Sequence, residues 1–496
     1  MTARRIVPAI SIFLSLHIGI STFYYHAGRL FLDSGFYLNA TRSVLEGKIP
    51  YRDFFFVQGP VYPYLYALLL MPFGVSVLSS SVVSIVFGGL ALLLAILLAH
   101  RLGGPFAAIA TGIALTLAPI HIYSFASIKL YALAGFFFTL AMYLLSFQTS
   151  TTCLALGSIA AVLAAGTRLT LLPGSAFLVL VAGILGYRNR PGFRTTAVVF
   201  GAALLSALCL SGPFLAIDSD ALIYNLIGIH TSASDGPFVF GWVNKIKVLA
   251  QIAIEYSPLA VLPVMVLLSR RTRPLQKDFP IYESGMFGAI LLVTIAHLTA
   301  NWFSTDYQTI VMPGLAAVLA GWAGSRLNGV KPLLILLVFG LISFGLRAGH
   351  PIWRGPGAAR ENLATISAFL RTRCQPSDGV AACSAVFAIE AGLRNVDPFG
   401  GAPFTFTPHW TDEECRRFKG INTAGLIKMM SDREAACLVF EDDSFSVGFP
   451  GFFRVAETEQ RDIRAAIDQN YMKIGTFPDL GNGAPELHVY RRRVEP

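Results

Sequence analysis

Apolar runs long enough to cross a membrane, separated by short polar interruptions, fill the chain up to about residue 349. They fall at 6–27, 76–99, 105–121, 129–147, 153–167, 169–186, 195–216, 246–268, 280–300, 307–323 and 332–348. That spacing predicts about eleven helices, some short enough to tilt or lie partly in the interface. The first run follows Arg4-Arg5 but has no small-x-small cleavage signal and is long for a signal-peptide core, so a retained span is expected. Beyond 350 the pattern changes. Helical patterns at 358–373, 385–393 and 457–469 alternate with strand patterns at 380–383, 436–440, 471–476 and 487–491, and 376–379 reads as a turn. Such alternation predicts a small, mainly parallel sheet. The fold class expected is a polytopic α-helical membrane protein with a C-terminal α/β domain.

Composition sharpens the division. The 496 residues are 54% hydrophobic and 14% charged, with mean hydropathy +0.61, values typical of membrane proteins. Of the 29 Asp and Glu, ten precede residue 350 and nineteen follow it. The expected domains are therefore 1–349, membrane-embedded, and 350–496, water-soluble. The net charge of +9 sits mostly in the membrane region, where it sets orientation, and no nucleic-acid partner is expected.

Alternate connections carry the basic residues: Arg4-Arg5, Arg101, Arg188/Arg190/Arg194, Arg270/Arg271/Arg273/Lys277 and Arg326/Lys331. Only 148–152 lacks one. The opposite loops hold Asp33, Glu46, Asp53, Asp218, Asp220, Asp235 and Asp306. The positive-inside rule then places the N-terminus in the cytoplasm of a multi-pass inner-membrane protein and the C-terminal domain in the periplasm. Cys374, Cys383, Cys415 and Cys437 fall in that outer domain, where disulfides are permitted and three two-disulfide pairings are conceivable; two buried thiols fit equally.

The outer loop 28–75 packs Asp33, Arg42, Glu46, Lys48, Arg52 and Asp53 between apolar segments. Charge beside a bilayer is costly unless a site needs it. Outside the cytoplasmic membrane no nucleotide pool exists, so a transferase there needs an activated substrate carried by a lipid. Polyprenyl-phosphate sugars satisfy that demand. The chemistry asks for a carboxylate to orient or deprotonate a hydroxyl and for cations where phosphate charge develops. Asp33 is the candidate carboxylate, although an Asp before Ser-Gly-Phe also reads as a helix cap. Arg168 and Lys129, outward-facing at helix ends, are candidates for the phosphate; either could instead snorkel to head groups. Arg52, Asp53, Tyr51 and Gln58 are further substrate-binding candidates, with an Arg52–Asp53 structural pair as the alternative. Asp306 and Glu255 are candidate additional acids; Glu255 could also lie on a wet interfacial helix. Asp218-Ser-Asp220 reads as a chance match to a metal-binding Asp-x-Asp. No cofactor is expected with certainty; a divalent metal is compatible with the residues but has no ligand spacing to support it.

Asp33, Ala40, Gly47, Pro50-Tyr-Arg-Asp-Phe54 and Gly59-Pro60 resemble the first outer loop of GT-C glycosyltransferases. The resemblance is strongest to the family 39 group of protein O-mannosyltransferases, aminoarabinose transferases and bacterial lipopolysaccharide-core transferases. It implies many spans, an outer catalytic loop, a polyprenyl-phosphate sugar donor, and an envelope glycan, glycolipid or protein acceptor among membrane lipids. It also implies a catalytic role for Asp33 and a donor-phosphate role for Arg168. Ser34 stands where O-mannosyltransferases carry a second acid, and Lys129 lies where relatives often place another carboxylate; Asp306 could fill that gap. Other classes predict other features. A flippase would show mid-span charges and repeats, and an O-antigen ligase or polymerase a large outer loop between spans.

Overall fold

The computed structural model describes residues 6–31, 33–188, 192–232, 241–269, 281–300, 304–327, 329–350, 359–375, 377–402, 404–441, 444, 447–448, 453–478, 480 and 486–493. Two compact units emerge from its packing. The first comprises Met1–Tyr24, Ser84–Pro213 and Phe240–Trp353; the second comprises Tyr25–Val83, Phe214–Val239 and Arg354–Pro496. Composition splits the chain at 349/350, whereas packing groups the first outer loop with the C-terminal segment.

In the first unit, Tyr131–Leu145, Thr151–Thr167, Leu172–Arg188 and Ile281–Thr299 pack in series as apolar helices. Small residues set their spacing: an added Cβ on Gly174 would strike Ala289 and Val293, and one on Gly103 would strike the Gly321 backbone. Close backbone approach through glycine is a usual basis of helix association in lipid.

Across the described residues of the chain, six helices are long and apolar enough to cross a membrane, or eight if two bent pairs each count as one span. Three further apolar helices, Val61–Leu70, Thr151–Thr167 and Met312–Gly324, are shorter, and breaks interrupt several of the expected runs. The runs 76–99 and 105–121 overlap one element, Val77–Thr116, in which Gly103 and Gly104 leave helical geometry just before Pro105. The run 246–268 is two helices, Trp242–Glu255 and Ser257–Leu268, bent by 78°, while Pro119–Ala126 and Tyr131–Leu145 meet at 107°. The segment 307–323 starts as the short helix Thr305–Thr309 and continues as Met312–Gly324.

The second unit holds a five-stranded sheet among its described residues. Strands β1 (Gly379–Ala382), β2 (Arg394–Asn395), β3 (Cys437–Glu441), β6 (Tyr471–Phe477) and β7 (Leu487–Arg492) run in the order β2-β1-β3-β7-β6; β4 (Val447–Gly448) and β5 (Phe453–Arg454) pair separately. Only β1–β2 and β1–β3 are parallel, while β3–β7 and β7–β6 are antiparallel. The sheet is thus mixed, not mainly parallel. A helix follows both β1 and β3, whereas only nine positions separate β6 from β7, too short a connection for a parallel crossover. Pattern reading also missed Asp412–Phe418 and Thr423–Ser431, two short helices between β2 and β3.

Cys374 and Cys437 form a disulfide that ties the end of helix Ala359–Arg373 to β3; Cys383 and Cys415 are free thiols. Peptide mapping without reduction should recover one linked 374/437 pair and alkylated Cys415. Replacing both partners with alanine should destabilise the C-terminal segment by about 2–4 kcal/mol, the usual contribution of a bridge spanning a long loop. Protease resistance of that segment, measured with and without reductant, checks this.

Candidate active site

In the second unit, Asp33 opens the helix Asp33–Leu45 and is partly exposed. A carboxylate in the first turn is favoured by the helix dipole. The small residues after it have a packing role: a Cβ on Gly35 would collide with Ser384 and with the backbone nitrogens of Ala385 and Val386. The helix is thereby seated against the start of Val386–Ala391, and Phe36 stacks on Phe56 with ring centroids 5.1 Å apart. Asp33 also bears electrostatically on the buried hydroxyl of Tyr62, which stacks on Tyr66 at 4.1 Å.

The turn after this helix accounts for the rest of the loop motif. Tyr51 takes a left-handed φ of 70°, is buried, and donates its hydroxyl to the Gln58 carbonyl at 2.6 Å. Asp53 accepts the Ile49 amide at 2.8 Å and both Arg52 nitrogens, Nε at 2.8 Å and Nη2 at 2.7 Å. The Arg52 hydrogen bonds hold its carboxyl below the usual carboxylate range, against the opposing effect of partial burial. The structural alternative for Arg52 and Asp53 is therefore realised. Tyr51 and Gln58 brace the same turn, and Asp53 additionally lines a cleft.

The first unit brings together three candidates far apart in sequence. Lys129 lies in the bend between Pro119–Ala126 and Tyr131–Leu145, Arg168 between Thr151–Thr167 and Leu172–Arg188, and Asp306 in Thr305–Thr309. Lys129 and Arg168 are 6% and 5% exposed, so both cations are buried. Lys129 Nζ is 3.6 Å from Asp306 Oδ2; Tyr131 donates to the same oxygen at 2.8 Å and Ser304 to the other. Arg168 donates to Thr170 at 3.1 Å, and Thr170 is hydrogen-bonded to His297 at 2.9 Å. Its guanidinium lies over Tyr307, 3.9 Å from the ring centroid. Burial alone would raise the Asp306 carboxyl, but Lys129, the Ser304 and Tyr131 hydrogen bonds and Arg168 together hold it below the ordinary value. Among the described residues, both cations act on this one carboxylate. Tyr131 and Tyr307 adjoin Lys129 and Asp306 in sequence, but only packing shows that they flank Arg168.

Glu255 is fully buried, not wet, and accepts Arg347 Nε at 2.6 Å. Asp218 caps the Ala221 amide, and Asp220 pairs with Arg417. Among the described residues, no group of three His, Cys, Asp or Glu is placed to hold a metal. Asp235 and the basic residues Arg4, Arg5, Arg190, Arg270, Arg271, Arg273 and Lys277 lie outside the described residues.

Asp306→Asn should destabilise the protein by about 3–5 kcal/mol, because it leaves buried cations without their counter-charge; adding Lys129→Met should recover part of the loss. The sign with pH follows from the lowered carboxyl. Its contribution is complete above the usual carboxylate value and disappears only as pH falls through the lower folded value. Thermal unfolding of wild type and Asp306→Asn should therefore converge in acid and differ fully at neutral pH.

No family model and no curated protein sequence matches the chain. Solved structures do. ArnT from Cupriavidus metallidurans bound to undecaprenyl phosphate superposes with TM-score 0.67 at 14% identity, covering 99% of this chain and 98% of ArnT. Arabinofuranosyltransferase AftD from Mycobacteria gives 0.52 at 14% identity, covering all of this chain and 40% of AftD. The oligosaccharyltransferase of Archaeoglobus fulgidus gives 0.50 at 12% identity, covering 99% and 74%. These are GT-C glycosyltransferases, and the chain has their fold: apolar spanning helices and a C-terminal domain with a sheet.

Proposed function

We propose that this protein is an inner-membrane glycosyltransferase that moves a sugar from a polyprenyl-phosphate donor to an acceptor on the periplasmic side. The observation that carries the reading is the buried meeting of Arg168 and Lys129 beside Asp306. Two buried cations brought together from different helix ends form a place where a phosphate can accept charge-assisted hydrogen bonds. Among anions a membrane enzyme meets, the phosphate of a lipid carrier fits, since its tail partitions into the surrounding apolar helices. ArnT, with this fold, was solved with undecaprenyl phosphate bound, which supports that donor class.

In this mechanism Asp33 orients the acceptor hydroxyl and takes its proton. The hydroxyl oxygen attacks the anomeric carbon, the bond from that carbon to the phosphate oxygen breaks, and the configuration inverts. Polyprenyl phosphate leaves, and Arg168 and Lys129 stabilise its developing charge. Asp306 holds the two cations in place between turnovers. A disulfide in the C-terminal segment supports an oxidising, outer location for it.

The test is reconstitution in lipid with a panel of polyprenyl-phosphate sugars and an envelope glycolipid extract, reading release of polyprenyl phosphate. Wild type should release it with one donor. Asp33→Asn, shown folded by its thermal transition, should lose about 10²–10⁴-fold in rate, the range of general-base catalysis. Arg168→Ala should raise the apparent donor KM by about tenfold or more, the loss of a charge-assisted hydrogen bond. Full activity of Asp33→Asn would remove its catalytic role. Labelled lipid crossing the bilayer without release from any donor would overturn the transferase reading.

A further inference from the structure

A half-open cleft of about 470 Å³ in the second unit is not accounted for by the chemistry above. Its volume lies within the range of small-ligand sites, roughly 300–1,000 Å³. Phe54 and Phe55 give it apolar walls, Asn39, Thr405, Asp53 and Asp397 give it acceptors, and Arg416 and Lys419 give it cations. Aromatic faces beside amide, hydroxyl and carboxylate groups are the means by which proteins hold sugar rings.

The charges in the cleft are not equally engaged. Asp53 is held by the Arg52 fork, and Asp397 lies 3.4 Å from Lys48. Arg416 and Lys419 make no ion pair and no side-chain hydrogen bond among the described residues, although Lys419 is near enough to Asp53 to act on it electrostatically. The backbone adds an independent sign. Lys419 ends the helix Asp412–Phe418 with φ 60°, a left-handed position where glycine is the usual residue. The next residue, Gly420, lies hard against the Trp410 ring and the Thr405 carbonyl. A lysine kept at a conformation that disfavours a side chain points to a use for its ammonium.

We propose that this cleft is the acceptor subsite and that it selects a glycan carrying a phosphate or a carboxylate near the accepting hydroxyl. Only the word acceptor rests on the transferase reading; the anionic-glycan preference rests on the cleft. Arg416 and Lys419 hold the anionic substituent, while Asn39, Thr405 and Asp397 accept from ring hydroxyls.

The experiment titrates the full-length protein in nanodiscs with digalacturonate, glucosamine 6-phosphate and lactose. At least one anionic sugar should bind about tenfold or more tightly than lactose, the size expected of charge-assisted hydrogen bonds, and which one does so separates carboxylate from phosphate. The preference should shrink with added salt and vanish in Arg416→Ala/Lys419→Ala, whose exposed positions make misfolding a minor concern. Cys415, in the cleft wall, is the locator: bound ligand should slow its alkylation, followed by peptide mass mapping. Burial pushes this thiol up to about 11, so labelling is run in mild alkali. Equal binding of lactose, an anionic preference that survives the double variant, or unprotected Cys415 at saturation would each overturn the proposal. Release of polyprenyl phosphate is scored separately. Release without anionic preference sinks the cleft and leaves the transferase; anionic preference without release from any donor does the reverse.

Discussion

Keeping ionised groups inside an apolar helical body is the constraint that organises the first unit. Desolvating a carboxylate or an ammonium costs several kcal/mol even after relaxation, so each such group needs a partner and an interruption in the helices to reach it. Three of these groups lie at such interruptions. Lys129 falls in the 107° bend, Arg168 between two helices joined by a single 3-10 turn, and Glu255 at the 78° bend. Arg347 reaches Glu255 from the last turn of Val330–Arg347. Irregular backbone at membrane depth is tolerated only where protein or a polar site satisfies it. The breaks and the charges therefore explain each other.

In the second unit close contact plays the organising part. Gly35 lets Asp33–Leu45 lie on the start of Val386–Ala391, and Gly400 meets Asn39 from the same helix. The helix that carries Asp33 is thus fixed by contacts with the C-terminal segment, and Arg42 adds a hydrogen bond to the Leu393 carbonyl at 2.9 Å. The remaining loop motif is mostly bracing. The Tyr51 hydroxyl is engaged by the Gln58 carbonyl and the Asp53 carboxylate by Arg52, which makes the turn stiff.

Much of this was legible in the residues. Apolar periodicity located the helices, and the expected strands at 380–383, 436–440, 471–476 and 487–491 each lie within one residue of a real one. What stayed hidden has physical causes. An apolar run reads as continuous whether or not the helix bends inside it, so the break at 256 was invisible. Strand direction depends on what connects the strands, and the β6–β7 pairing escaped the alternation rule. The meeting of Lys129, Arg168 and Asp306 spans 178 positions in the chain, and only tertiary packing creates it. Sequence position could nominate each of them, but not their company.

That company bears on what Asp306 does. As an acid near a reaction centre it could serve as a second base, yet its oxygens are already engaged by Lys129, Tyr131 and Ser304. A base needs a free lone pair aimed at the proton it takes. A carboxylate held down in pKa and surrounded by donors is better suited to fixing two cations that would otherwise repel each other. Like charges at close range in a low-dielectric setting cost several kcal/mol, and the carboxylate offsets this. In the proposed mechanism proton removal is therefore given to Asp33, in the first turn of Asp33–Leu45, and not to Asp306.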